Sequence, residues 1–199
     1  MKDKKEKKPF ITVKEAIVSV LVLLLFAIAF EKPFPIIGIH MVPARNVSEN
    51  EVHQFALQIE EVPVAKIEEK LNLRGKPTLI FMYASWCVYC KKLMANIISL
   101  QNEGKINDIN FLPISVDRKK TELSRYLLKY NYDKLFTPYI IDERNENELK
   151  KIIVNKGGNY TPSIPYSIIF DTNGNVIEEI NGVIGKISLL EKLNAAKQR

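Results

Sequence analysis

Cys87 and Cys90 are the only cysteines among 199 residues, and they stand with two residues between them in Trp86-Cys87-Val88-Tyr89-Cys90-Lys91. Thiols at that spacing can close a disulfide with each other and open it again by exchange, with the thiolate as the attacking species. Two other chemistries compete. A purely structural disulfide across so short a loop would gain little entropic stabilisation. Zinc asks for about four ligands, and only His40 and His53 could join the two cysteines. Neither histidine carries a ligand spacing, so no metal is expected. The residues themselves read as a two-cysteine redox centre with no cofactor: the chain contains no Gly-x-Gly-x-x-Gly stretch to hold a nicotinamide or flavin nucleotide.

The flanking residues say how such a pair would be held. Pro77 to Ala84 is an apolar run that predicts a buried strand, and Lys91 to Ile98 carries a helical pattern. The pair therefore opens a helix directly after a strand. Exposed backbone N–H groups and the positive end of the helix dipole favour a thiolate at that place. Further strands are expected over Ile109–Asp117, Tyr166–Phe170 and Val176–Ile180, with Asp171-Thr172-Asn173-Gly174-Asn175 as the turn between the last two. Helices are expected over Val64–Leu73, Glu122–Tyr130 and Ile187–Leu193. Ser48 to Glu51 could start a short helix or lead into a strand over Val52–Ile59, and Gly157-Gly158 reads as a flexible loop.

Trp-Cys-x-x-Cys-Lys after a buried strand resembles the thioredoxin superfamily. Ser163-Ile164-Pro165-Tyr166-Ser167-Ile168-Ile169-Phe170-Asp171-Thr172-Asn173-Gly174 resembles that family's Ile-Pro-Thr-x-x-x-x-Asp-x-x-Gly segment. The likeness covers about residues 63–199. It implies an α/β thioredoxin-like fold, a central mixed sheet flanked by helices. It implies that Pro165 follows a cis peptide bond, packs against the cysteines and starts an edge of the active site. On that reading Cys87 and Cys90 are catalytic, and Trp86, Ile164, Pro165 and Tyr166 bind the substrate chain. The 47 residues between Asp117 and Pro165 form an insertion before the proline strand, and Phe136-Thr137-Pro138-Tyr139-Ile140-Ile141-Asp142 within it resembles an element of the TlpA-like branch. That branch consists of membrane-tethered or secreted bacterial thiol–disulfide proteins. The partners it implies are disulfide-containing client proteins and a membrane electron donor or acceptor.

The chain departs from the family pattern in two places. Thioredoxin buries an acid six positions before the first cysteine, where this chain has Phe81; Glu60, Glu61, Glu68 and Glu69 are candidate replacements. The Val88-Tyr89 dipeptide, which tunes thiolate pKa and potential, matches neither thioredoxin nor the oxidant DsbA. Ile164 before the proline is the more thioredoxin-like choice, so a reductant is expected. A disulfide-donating oxidant and a non-catalytic binding or scaffold module are the alternatives.

The net charge is +6, and the first eight residues supply half of it. The remaining charges are interspersed and leave no basic patch for a nucleic acid. Residues 1–9 read as a basic cytoplasmic tail and 10–30 as a transmembrane anchor or signal sequence. Ala16 to Phe30 is free of charge, and Ala27-Ile28-Ala29 resembles a cleavage site. Residues 31–62 read as a stalk or extension, and 63–199 as the thioredoxin-like domain. The expected location is the cytoplasmic (inner) membrane, single-pass, with the redox domain on the periplasmic side.

Overall fold

A computed structural model describes residues 44–71 and 75–198. The expected tail and membrane segment, 1–30, lie outside the described residues, and so does His40. Among the described residues no helix is long and apolar enough to cross a membrane.

The elements run α1 (Glu49–Ala56), β1 (Glu60–Glu61), α2 (Val64–Leu71), β2 (Thr78–Tyr83), α3 (Val88–Asn102), β3 (Asn110–Ser115), α4 (Lys120–Lys129), a 3₁₀ turn (Tyr132–Lys134), β4 (Tyr139–Ile140), α5 (Glu143–Asn155), β5 (Tyr166–Phe170), β6 (Val176–Asn181) and α6 (Lys186–Ala196). The strands form one mixed sheet in the order β1-β4-β3-β2-β5-β6. β2 pairs in parallel with β3 and antiparallel with β5, so it is central. Every residue of β2 is buried, which explains why its sequence is an unbroken apolar run: helices cover both faces. Successive side chains of a strand point to opposite faces. Leu79, Phe81 and Tyr83 accordingly join a core with α3, α4 and α6, while Ile80 and Met82 join one with α2 and α5.

Three expectations about organisation need correcting. The stalk expected over 31–62 gives way to domain structure within its described part. Ser48 caps α1 through a reciprocal capping box with Glu51, so the segment is helix and not a strand over Val52–Ile59. Val52 and Ile59 are buried, the Ser124 hydroxyl donates to the Val52 carbonyl at 2.7 Å, and β1 joins β4 at the sheet edge. Second, the insertion contains a helix, α5, that the sequence reading passed over. Asp142 caps it by accepting from the Asn145 N–H, and Leu149, Ile152 and Ile153 form its buried stripe. Third, Gly157-Gly158 is no flexible loop but the C-terminal cap of α5. Gly157 takes φ +92°, its N–H donates to the Val154 carbonyl and the Gly158 N–H to that of Ile153, which is a Schellman motif.

Candidate active site

The residues after β2 turn sharply into α3, and Cys87 is the N-cap of that helix. Its sulfur accepts the Cys90 backbone N–H at 3.1 Å, so one orphan donor of the helix terminus is spent directly on the candidate nucleophile. The two sulfurs are joined as a disulfide with their Cα atoms 5.2 Å apart. The pair is asymmetric: Cys87 keeps 7 % of its surface and Cys90 1 %. Both belong to the buried core that includes Leu93 and Met94, and Cys87 is the more accessible of the two.

Around Cys87 stand Trp86, Val88 and Tyr89, all more than half exposed. These three side chains turn an apolar rim to solvent. Lys91 and Lys92 do not crowd the sulfur: Lys92 lies over the Tyr89 ring at 5.6 Å and Lys91 over the Tyr126 ring at 5.8 Å. The Ile164–Pro165 peptide bond is cis, as the family likeness implied. Pro165 is buried and its carbonyl accepts the Gly182 N–H at 2.9 Å. Ile164 is half-buried, and its backbone makes no hydrogen bond to another described residue. Tyr166 corrects the expectation. Its side chain is fully buried and its backbone lies between β2 and β6, so it presents no exposed surface for binding.

None of the glutamates proposed as the missing acid comes to the cysteines. Glu60 and Glu61 sit on the edge strand β1, where they pair with Lys66 at 3.5 Å and Lys120 at 3.8 Å; Glu68 and Glu69 are exposed on α2. Phe81 is buried and stacks on Tyr83 with ring centroids 5.3 Å apart. Burial pushes the Tyr83 hydroxyl far above its ordinary pKa, with Asp117 adding to the effect, so Tyr83 stays neutral.

Asp117 is a further site residue that no motif in the sequence singled out. It stands just past the C-terminal end of β3, 2 % exposed. Its carboxylate accepts the Ser85 N–H at 2.9 Å, the Ser85 hydroxyl at 2.8 Å and the Ser115 hydroxyl at 2.6 Å. Ser85 directly precedes Trp86-Cys87, so a buried anion ties down the turn that presents the nucleophile. The available signal was Ser115-x-Asp117 at the carboxyl end of a parallel strand, where α/β folds assemble their sites. His53 is exposed on α1, and no cluster of metal-ligating side chains occurs among the described residues.

A family model for a thioredoxin-like domain matches residues 64–197. The chain belongs to that family. Among curated relatives, thioredoxin-like protein HCF164 of the Arabidopsis thaliana chloroplast is 30% identical over 70 residues, which are 34% of this chain and 26% of that protein. The chain thus spans about a quarter of that relative's length. The thiol-disulfide oxidoreductase ResA of Bacillus thuringiensis subsp. konkukian is 28% identical over 128 residues, 64% of this chain and 67% of that protein. A solved thiol:disulfide interchange protein from Chlorobium tepidum superposes with a TM-score of 0.51 at 20% identity, over 65% of this chain and 84% of the other. That likeness concerns the fold. The cysteine pair lies within the matched residues, at the start of the helix after the central strand.

Proposed function

We propose that this protein is an extracytoplasmic thiol–disulfide oxidoreductase, anchored in the cytoplasmic membrane, that reduces disulfides of client proteins. The observation that carries the exchange chemistry is the asymmetric pair: the Cys87 sulfur caps α3 and receives the Cys90 N–H, and Cys87 keeps 7 % of its surface against 1 % for Cys90 one turn behind it. In the reduced state the same helix terminus favours Cys87 as the thiolate.

The thiolate attacks one sulfur of a client disulfide. A Cys87–client bond forms, the client S–S bond breaks, and the departing client thiolate takes a proton from solvent. Cys90, deprotonated in turn, attacks Cys87. The Cys87–Cys90 bond forms, the mixed disulfide breaks, and the second client thiol leaves. Two electrons have passed from the pair to the client. A membrane dithiol donor returns them by the reverse exchange. Trp86, Val88 and Tyr89 supply the apolar platform, and the Ile164 backbone, which bonds to no other described residue, supplies hydrogen-bonding groups for the client chain. The membrane anchor rests on the lysines of residues 2–8 and the uncharged run of 16–30, and the extracytoplasmic side on the positive-inside rule.

Replacing the resolving cysteine, Cys90→Ser, is expected to trap mixed disulfides with clients at Cys87. Their absence from cells that express the variant would sink the proposed order of attack. The reduction potential of the pair decides direction: a value near thioredoxin's, about −270 mV, is expected, and one near DsbA's, about −120 mV, would reverse the electron flow. A phenotype unaltered when both cysteines become serine would instead identify a scaffold.

A further inference from the structure

Tyr160 has a backbone φ of +43°, in the left-handed region that residues with a side chain adopt rarely. Such a conformation persists only where its surroundings over-determine it. Here they do. The Tyr160 ring is buried and meets the Tyr166 ring edge-on, with centroids 5.5 Å apart. Its hydroxyl donates to Glu146 Oε1 on α5. The preceding residue, Asn159, donates its N–H to Glu179 Oε1 on β6. Three residues on, the Ser163 hydroxyl donates to Asn181 Oδ1 at 2.8 Å. The segment held by these ties leads directly into Ile164 and cis Pro165.

Glu146 also lines a cavity of about 480 Å³ whose wall includes Asp117, Asp142 and Ile140. Asp117 holds the turn that presents Cys87; Glu146 holds, through Tyr160, the loop that presents Ile164. The anchors of both active-site loops therefore face one space, and the second anchor stands on the helix of the insertion.

We propose that Glu146 and Tyr160 are positioning residues for client recognition: their hydrogen bond sets the Ile164–Pro165 edge at the place where a client backbone pairs while its disulfide meets Cys87. The inference rests on the proposed exchange with protein clients. A small disulfide has no backbone to lay along the edge, so the pair matters for a protein disulfide and not for a small aromatic one. A misplacement of an ångström in a reacting assembly can cost on the order of a hundredfold.

The experiment compares the full-length protein with Tyr160→Phe, which keeps the ring contact with Tyr166, with Glu146→Leu, and with Glu146→Gln, which keeps an oxygen to accept the tyrosine hydroxyl. For insulin as the protein disulfide, KM is expected to rise about tenfold in the Phe and Leu variants. The rate on 5,5′-dithiobis(2-nitrobenzoate) and the potential of the pair are expected to hold, and the Gln variant to retain the wild-type KM. Amide hydrogen exchange of Gly182, whose N–H is bonded to the Pro165 carbonyl, is expected to accelerate in the Phe and Leu variants and not in the Gln variant. Unchanged Gly182 exchange in the Phe and Leu variants overturns the proposal, as does an equal loss on both disulfides. The exchange measurement needs no activity: a wild-type protein that reduces neither disulfide defeats the proposed function, and Gly182 still decides whether the pair positions the edge.

Discussion

Replacing Asp117 tests whether the turn before the cysteines is held by a buried anion. Alanine there orphans one backbone N–H and two hydroxyls, all now bonded to the carboxylate at 2.6–2.9 Å. The hydroxyls can partly re-aim, but the Ser85 N–H cannot. An orphaned buried donor costs about 1–3 kcal/mol, so the set sums to about 3–5 kcal/mol, also the range for breaking a buried charged network. That is a large part of an ordinary domain stability of about 5–15 kcal/mol. Ser85→Ala removes one charge-assisted bond and leaves the backbone donor satisfied, for about 1.5–3 kcal/mol. Since Ser85 and Asp117 share one network, their losses should fall short of additivity, by a coupling of about 0.5–3 kcal/mol. The assay is urea unfolding of the oxidised protein, followed by the fluorescence of Trp86, the only tryptophan in the chain and the residue next to Ser85. A loss below about 1 kcal/mol for Asp117→Ala, or full additivity in the double variant, would refute the reasoning.

A Cβ at Gly158 would lie 2.4 Å from Glu179 Oε1 and 2.6 Å from Ile153 Cγ2. Gly158→Ala is therefore expected to cost about 1–3 kcal/mol in overpacking, and an unfolding midpoint equal to wild type would contradict that. Leu149→Ala, in the buried stripe of α5, should cost about 2–5 kcal/mol, against almost nothing if α5 were a loosely attached insertion. The carboxyls of Glu51 and Glu103 are held at about 2, down from the ordinary 4.5, the first chiefly by the Ser48 backbone N–H and then Arg45, the second chiefly by Lys186 and then Ser99. A depressed carboxylate stabilises the fold above its unfolded pKa and loses that contribution as pH falls through the folded one. Tm should accordingly drop as pH falls from about 4.5 to about 2. Both groups are exposed, so added salt should shrink their share; a Tm flat over that interval at low salt would count against these pairs.

Much of the site was written locally. The Cys-x-x-Cys spacing, the apolar run of β2 and the helical pattern of α3 are short-range features, and a helix start after a strand follows from them without knowledge of the rest. The Asp171–Asn175 turn was equally legible, because the Asp171 carboxylate accepts N–H groups only two and four residues on, from Asn173 and Asn175. The Ile164–Pro165 edge was legible through family likeness, which carries long-range information that composition lacks.

What the chain order could not say is which distant residues meet. Asp117 looked like the end of a strand, and only the parallel pairing of β2 with β3 brings it under Ser85, 32 positions earlier. Tyr166 looked like part of the site because it follows Pro165, yet its place between two strands of a sheet covered on both faces, with the Tyr160 ring against its own, buries it. The capping box of α1 was visible as Ser48-x-x-Glu51, but whether that helix belonged to a stalk or to the domain depended on the contact of Val52 with Ser124, 72 residues away. Spacing along the chain determined the chemistry of the cysteine pair, because reactivity at a helix terminus is a local property. Tertiary structure decided which groups hold the two active-site loops, because a buried carboxylate and a strained tyrosine find their partners only when separate strands and helices pack together.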